Sequence, residues 1–272
     1  MAGPRRHPPE APSLFQYWNT ETIPEDVAAL IATFQERNPD FRHRVFSEAE
    51  AERFIESHFG ARERDAFRAC AVPAMQADYF RYCAVLAYGG IYADADYRCV
   101  RPLRPLLDDC EGGIVFLRPD MHRVNGREAM RVLNGFFAFG EPNHPFLRLT
   151  LDIATANMEA RLAERIWAVG EEVPTGIWLT VGPGIFSLIR FLYNWGSFDV
   201  FMESAIGTPL EPFGRLFCEV TGDYNRVVEA CEGVRFSSFE SMFSWIDHPD
   251  QAPAYKEGKD PSWHHVKTGL FR

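Results

Sequence analysis

Apolar positions along the chain alternate between two periods. Leu14-Phe15-Gln16-Tyr17-Trp18 is a compact, mostly apolar run that predicts a strand. Pro24-Glu25-Asp26 opens a helix with acids in its first turn, where they suit the helix dipole. Val27, Leu30, Ile31 and Phe34 then fall at i, i+3, i+4 and i+7, which is one buried stripe. Asn38-Pro39 stops that helix, and Phe41 to Phe46 predicts a second strand. Ser47-x-x-Glu50 reads as a capping box for the next helix, with Phe54 and Ile55 facing its core. Strand, helix, strand, helix argues for parallel sheet within an α/β sandwich.

The stretch from Pro73 to Arg98 has the densest pattern. Pro73 suits a first helical turn, where its missing N–H costs nothing. Tyr82, Val85, Leu86 and Gly89 follow at helical spacing. Gly89-Gly90 supplies the positive φ that ends a helix and reverses the chain. Ile91, Tyr92 and Ala93 predict a short buried strand, and Asp94 and Asp96 stand where it stops. On an extended chain, residues two apart leave from one face, and open α/β sheets bind ligands just past the carboxyl ends of their strands.

Further on, Val100 to Leu106 predicts an extended, proline-held loop with Arg98, Arg101 and Arg104 in solvent, and Gly113 to Leu117 a short strand. Pro119 to Arg131 is polar and predicts a mobile loop. Asn134 to Phe139 predicts another strand. His144-Pro145 opens a helix to about Trp167, with Phe146, Leu149, Ile153 and Met158 buried and Glu159, Arg161, Glu164 and Arg165 in solvent. Pro174 to Gly184 is rich in glycine and proline, and Ile185 to Trp195 predicts a compact helix. Residues 196–262 alternate aromatic and charged positions without a pattern that fixes their elements.

Composition narrows the chemistry. The 272 residues are 46% hydrophobic and 24% charged, which suits one globular α/β domain over 13–272 behind a proline-rich, disordered lead-in at 1–12. A net charge of −10 disfavours a phosphate-backbone partner, so nucleic acid is not expected. Six cysteines lie scattered without C-x-x-C spacing, against a zinc ribbon and for free thiols in a reducing compartment. No signal-peptide core and no membrane-spanning run is seen, so a cytoplasmic protein is expected.

Two carboxylates held as close as Asp94 and Asp96 are poorly tolerated unless a cation or a proton sits between them. An anionic diphosphate ligand on an acidic chain needs the same cation, with a local arginine beside it. Asp78 and Arg81, one helical turn upstream, share a helix face; as a plain surface ion pair they would contribute only a few tenths of a kcal/mol.

The combination Asp78-x-x-Arg81-Tyr82, Tyr88-Gly89-Gly90-Ile91-Tyr92 and Asp94-x-Asp96 resembles the signature of the sugar-transferases that share a DXD motif. That family includes the yeast initiating α-1,6-mannosyltransferase, bacterial capsular transferases and, more distantly, the glucosylating clostridial toxins. The resemblance is tightest over these two dozen or so residues. It implies a GT-A-like fold: an open, twisted, mostly parallel sheet flanked by helices, with a nucleotide-sugar half (13–140) and a variable acceptor-side half (141–272). It also implies a metal-dependent, retaining hexosyltransferase acting on a glycan, lipid or protein acceptor. The cofactors implied are Mn²⁺ or Mg²⁺ and a nucleotide-sugar donor, a UDP-sugar before GDP-mannose. Asp96 would ligate the metal directly, and Asp94 would do so through water or bind the ribose and sugar. Asp78 and Arg81 would bind donor-sugar hydroxyls, and Tyr92 would pack beside the nucleotide.

Four weaker matches extend the resemblance. Gln16 and Trp18 match the family's opening "IHQIW" strand, with Phe15 in place of its histidine; Trp18 either lies against the base or is simply core. Asn134 matches the "N-x-F-I-A" strand, whose asparagine reaches the donor sugar, and is equally a turn residue before Gly135. Val181-Gly182-Pro183 resembles the "TGP" turn without its threonine, and the Gly182 backbone would approach the ligand closely. The tail resembles the closing "H-H-x-x-x-S-W" segment, with Gly269-Leu270 replacing serine and tryptophan; it makes His265, ahead of His264, the third metal ligand. Two other readings of the aspartate pair are a catalytically silent nucleotide-sugar or glycan-binding module and a haloacid-dehalogenase-like phosphatase, for which Arg98 stands where threonine or valine is usual.

Overall fold

A computed structural model describes residues 11–124, 127–163, 173–205 and 211–247. The chain opens with strand β1 (Ser13–Tyr17), helix α1 (Glu25–Arg37), β2 (Arg42–Phe46), α2 (Glu48–His58) and α3 (Ala61–Arg68). Helix α4 (Pro73–Tyr88) leads into β3 (Gly90–Ala93), followed by β4 (Arg98–Cys99) and α5 (Arg104–Asp108). A long hairpin, β5 (Gly113–Val124) and β6 (Arg127–Phe139), precedes α6 (Pro145–Leu162), α7 (Val173–Thr180) and α8 (Gly184–Trp195). The rest is α9 (Phe198–Ala205), α10 (Glu211–Thr221), α11 (Tyr224–Cys231), β7 (Val234–Ser238), α12 (Phe239–Met242) and β8 (Ile246–Asp247).

The main sheet runs β2-β1-β3-β6-β5-β7. Three of its pairings are parallel (β1 with β2, β1 with β3, β5 with β7), and β6 runs antiparallel to both neighbours. Period-two alternation splits the strands between two cores. Phe15, Tyr17, Tyr92, Phe137 and Phe139 pack with α4, α6 and α8 on one face. Leu14, Ile91, Ala93, Phe136 and Ala138 pack with Phe34 of α1, Leu106 of α5 and Met242 of α12 on the other. The result is a three-layer α/β sandwich with a mostly parallel, helix-flanked sheet.

Local signals set the early elements where the sequence puts them. Ser47 accepts from the Glu50 N–H while Glu50 reaches back to the Ser47 N–H, so the capping box forms. Helix α1 buries Val27, Leu30, Ile31 and Phe34. Helix α4 is enclosed nearly all round, burying Asp78 and Arg81 along with its apolar residues. Gly89 (φ 66°) and Gly90 (φ 102°) turn the chain from α4 into β3. A Cβ on Gly90 would lie 2.2 Å from the Ser13 carbonyl oxygen, so β3 and β1 close up only over a glycine.

Several segments depart from their sequence expectation. Pro119 to Arg131 is not a loop: β5 and β6 pair through it, from Met121 with Met130 to Val124 with Arg127. Asn125-Gly126, which follows Val124, is the strongest two-residue hairpin signal in the sequence, and it outweighs the polarity of its flanks. Val100 to Leu106 is extended only in part, since α5 starts at Arg104 with Pro105 in its first turn. Pro174 to Thr180 lies in helix α7, and the turn expected at Val181-Gly182-Pro183 follows it. Helix α6 ends at Leu162, short of Trp167, and Arg161 is buried against the Thr180 hydroxyl (3.2 Å) rather than in solvent. The unassigned stretch after residue 196 supplies β7, which extends the sheet beyond β5.

Replacing Gly90 with alanine should cost at least about 2 kcal/mol of stability, because a positive φ and a backbone clash are forced together. Equilibrium urea unfolding of Gly90→Ala beside wild type measures it.

Candidate active site

The sheet delivers Asp94 directly after β3. Alternation continues one step past the strand, so Asp94 leaves on the same side as Tyr92, facing α4. There the Arg81 Nη2 lies 3.0 Å from Asp94 Oδ1 and 3.1 Å from Asp78 Oδ1. The Arg81 guanidinium stacks 4.7 Å over the Tyr92 ring, and the Tyr92 hydroxyl donates to the same Asp94 oxygen (3.1 Å). Arg81 also donates from Nε to the Ala77 carbonyl, which leaves Nη1 as its remaining fork.

Asp94 to Tyr97 is a turn, not an extended run: the Tyr97 N–H donates to the Asp94 carbonyl at 3.2 Å. Asp94 and Asp96 still both line one cleft, of about 230 Å³, together with Trp18, Asn19, Asp78, Arg81 and Asn134. Residues from the second half of the chain, Ile177, Trp178 and Pro183, close its far side.

Electrostatics at this turn are dominated by burial. Arg81 is only 4% exposed. Burial works against its charge, but Asp94, Tyr92 and Asp78 outweigh it and hold its pKa above the usual arginine value. Burial likewise raises the Asp78 carboxyl, against the pull of Arg81 and Asn134. The Asp94 side chain keeps 29% of its surface open. Burial of the remainder pushes its carboxyl up to about 7; Arg81 opposes that shift, and Asp96 and Asp78 add to it.

Asn134 reaches this cluster because β6 is bulged. Ile114 pairs with Ala138 but Phe116 with Leu133, so residues 134–137 of β6 stand against Val115 alone. Bulges of this kind re-aim side chains beside active sites. Asn134 Nδ2 donates to Asp78 Oδ1 (2.9 Å) and to the Tyr82 hydroxyl (2.8 Å), which uses both amide hydrogens. Only its Oδ1 is left for a ligand. Next to it, a Cβ on Gly135 would sit 2.4 Å from Asp94 Oδ2, so this glycine leaves the room the carboxylate fills.

The other expected residues fall in different places. Trp18 is half-buried against Val27, Ile31 and Ala95 and lines the cleft as well, so it is both core and available to a base. Gln16 and Tyr92 are fully buried and do not line the cleft; each acts on Asp94, Gln16 through the Asp94 carbonyl (3.2 Å). Gly182 is buried behind Pro183. Its carbonyl accepts from the Tyr82 hydroxyl (3.1 Å), and a Cβ there would press on Trp178 Cα at 3.0 Å, so this glycine makes room for Trp178 rather than for a ligand. His264 and His265 lie outside the described residues. Nothing in the sequence marks Trp178 and Asn19 except the turns they adjoin.

A divalent cation fits the donor set. Asp94 and Asp96 offer hard carboxylate oxygens, and an ion there would offset the charge that raises the Asp94 pKa. No third His, Cys, Asp or Glu completes a cluster among the described residues, which leaves positions for phosphate oxygens and water, as such ions favour.

Residues 24–111 match the family model described as the glycosyltransferase sugar-binding region containing the DXD motif. The match spans Asp78, Arg81, Asp94 and Asp96 but not Gln16, Trp18 or Asn134. A solved structure, "PaToxG Glycosyltransferase", is similar at 19% identity over 79% of this chain and 84% of that one, with a TM-score of 0.46. No curated protein matches the chain. Among the described residues, no helix is long and apolar enough to cross a membrane.

The raised Asp94 pKa fixes the sign of a pH effect. A carboxyl whose pKa lies above its unfolded value gives stability that is complete below about pH 4 and lost as pH climbs to about 7. In metal-free protein, Asp94→Asn should therefore gain in thermal midpoint relative to wild type as pH rises from 4 to 7, with the difference level above that. Melting curves across pH 4–8 check it.

Proposed function

We propose that this protein is a metal-dependent, retaining glycosyltransferase that moves a hexose from a nucleotide-diphosphate sugar to a glycan, lipid or protein acceptor. A UDP-sugar is the favoured donor ahead of GDP-mannose. The observation that carries the reading is the Asp94–Asp96 turn at the lip of the cleft, wedged by Arg81 within the segment that matches the family. The chain acts as one domain over 13–272. Its donor half (13–140) and acceptor-side half (141–272) both contribute walls to the cleft, which supports that division. Free thiols at all six cysteines agree with work in the reducing cytoplasm.

Bound Mn²⁺ or Mg²⁺ at Asp96 and Asp94 would supply Lewis-acid stabilisation of the departing diphosphate. The protein's residues do the rest. Trp18 offers an indole face to the base. Arg81 directs its free Nη1 toward donor oxygens, and its buried charge offsets negative charge developing on the leaving phosphate. Asn134 accepts a sugar hydroxyl through Oδ1, with Asp78 fixing the amide. Asp78 and Asp94 are tied to Arg81, so neither serves as a covalent nucleophile in this reading. Retention then follows from a front-face displacement: the bond from the anomeric carbon to the phosphate oxygen breaks. The acceptor oxygen bonds to the same face, and its proton passes to the phosphate.

Nucleotide release from a donor panel (UDP-glucose, UDP-galactose, UDP-N-acetylglucosamine, GDP-mannose) should require Mn²⁺ and stop on chelation. Asp96→Ala should reduce it by at least about 10³-fold while melting like wild type, as expected when the main electrostatic contact to the leaving group is lost. Turnover that ignores chelator, or an Asp96→Ala protein with wild-type rates, would overturn the reading.

A further inference from the structure

A buried amide and a half-buried imidazole beneath the aspartate turn take no part in the proposed chemistry. Gln16, on β1, is 0% exposed. His43 projects from β2 opposite Leu14 in the parallel register, on the sheet face that Gln16 also occupies. Burying an amide and an imidazole is costly unless each is hydrogen-bonded. Here their bonds lead to one place. His43 Nε2 lies 2.8 Å from Gln16 Oε1, and Gln16 Nε2 donates to the Asp94 carbonyl at 3.2 Å.

We propose that His43 is a positioning residue for the Asp94–Tyr97 turn: it locks the Gln16 amide in the single orientation that clamps the Asp94 carbonyl. The proton count requires it. The Asp94 carbonyl is an acceptor, so Gln16 must turn its NH₂ toward it and its oxygen toward His43. Nε2 of His43 must then carry a hydrogen. Burial lowers the His43 pKa to about 4, so at neutral pH the ring holds one proton, and it sits on Nε2. With the amide reversed, two oxygens would face each other at Asp94.

The clamp completes the grip on Asp94. Its N–H donates to the Gly135 carbonyl (2.8 Å), its carbonyl accepts from Tyr97 and Gln16, and its carboxylate is held by Arg81 and Tyr92. Strands β1, β3 and β6 thus all hold the residue on which the cation site depends, and β2 reaches it through His43. Groups that hold a metal's ligands in place commonly set metal affinity without touching the metal. In its functional consequence the inference rests on the metal–diphosphate reading above; in its structural content it does not.

Two variants separate the donor from the shape. His43→Leu removes the hydrogen given to Gln16, and His43→Gln keeps an N–H in its place. Mn²⁺ binding in the presence of UDP, followed by electron paramagnetic resonance of free Mn²⁺, should weaken about tenfold in His43→Leu and recover to within about threefold of wild type in His43→Gln. Hydrogen exchange at the Tyr97 amide should accelerate in the leucine variant and recover in the glutamine variant. The His43 ¹⁵N shifts should report the Nε2–H tautomer.

A leucine variant with wild-type Mn²⁺ binding and Tyr97 protection overturns the proposal. So does a glutamine variant as impaired as the leucine one, or an Nδ1–H tautomer. If wild type itself fails to bind Mn²⁺ with UDP, the proposed function falls, while the exchange and tautomer measurements still decide the role of His43.

Discussion

A guanidinium enclosed in protein and held between two carboxylates is the interaction on which the site depends. Arg81 joins Asp78 on its own helix to Asp94 at the end of β3, and Tyr92 lies under it. Removing one partner from such a buried group leaves an uncompensated charge, which costs far more than an exposed pair ever contributes. The helix face, the strand end and the bulge on β6 must therefore arrive together. That requirement explains why Asn134 and Gly135, distant in sequence, fit the same few ångströms: one satisfies Asp78, and the other leaves the volume that Asp94 occupies.

The arrangement is also preorganised against its own charge. Three acids, Asp78, Asp94 and Asp96, converge with a single arginine among them, and burial makes ionised Asp94 costly. A site left short of positive charge is a site that favours a cation, and a cation is what an anionic diphosphate needs beside an acidic protein. Instability in the free protein and affinity in the loaded one have the same source. The hydrogen bonds that hold Asp94 from β1, β3 and β6 keep that charge from relaxing away from the cleft.

Much of this was legible in the sequence because it is local. The helical stripe of α1, the Ser47–Glu50 box, the Gly89-Gly90 reversal and the Asp94-x-Asp96 pair each depend on residues a few positions apart, where spacing maps onto geometry. The i,i+3 relation of Asp78 and Arg81 was equally visible, but its depth was not: a surface pair and a buried clamp have the same spelling. What stayed hidden is non-local. Gln16 matched a ligand-binding position by family pattern, yet it points beneath the turn, because its contacts come from β2 and β3. Gly182 looked like a backbone approach to ligand, and its space is taken by Trp178 from the preceding helix. The β5–β6 hairpin is hidden for a different reason: its polar flanks read as loop, although the Asn125-Gly126 step between them is a hairpin signal.

The central claim is that a divalent ion and a diphosphate meet at the Asp94–Asp96 turn. Anomalous diffraction at the manganese edge, on crystals grown with Mn²⁺ and UDP, tests it most directly. The expected result is an anomalous peak within coordination distance of an Asp96 carboxylate oxygen, beside Asp94 and next to the diphosphate. A peak elsewhere on the molecule, or UDP bound with no manganese near either aspartate, would contradict it.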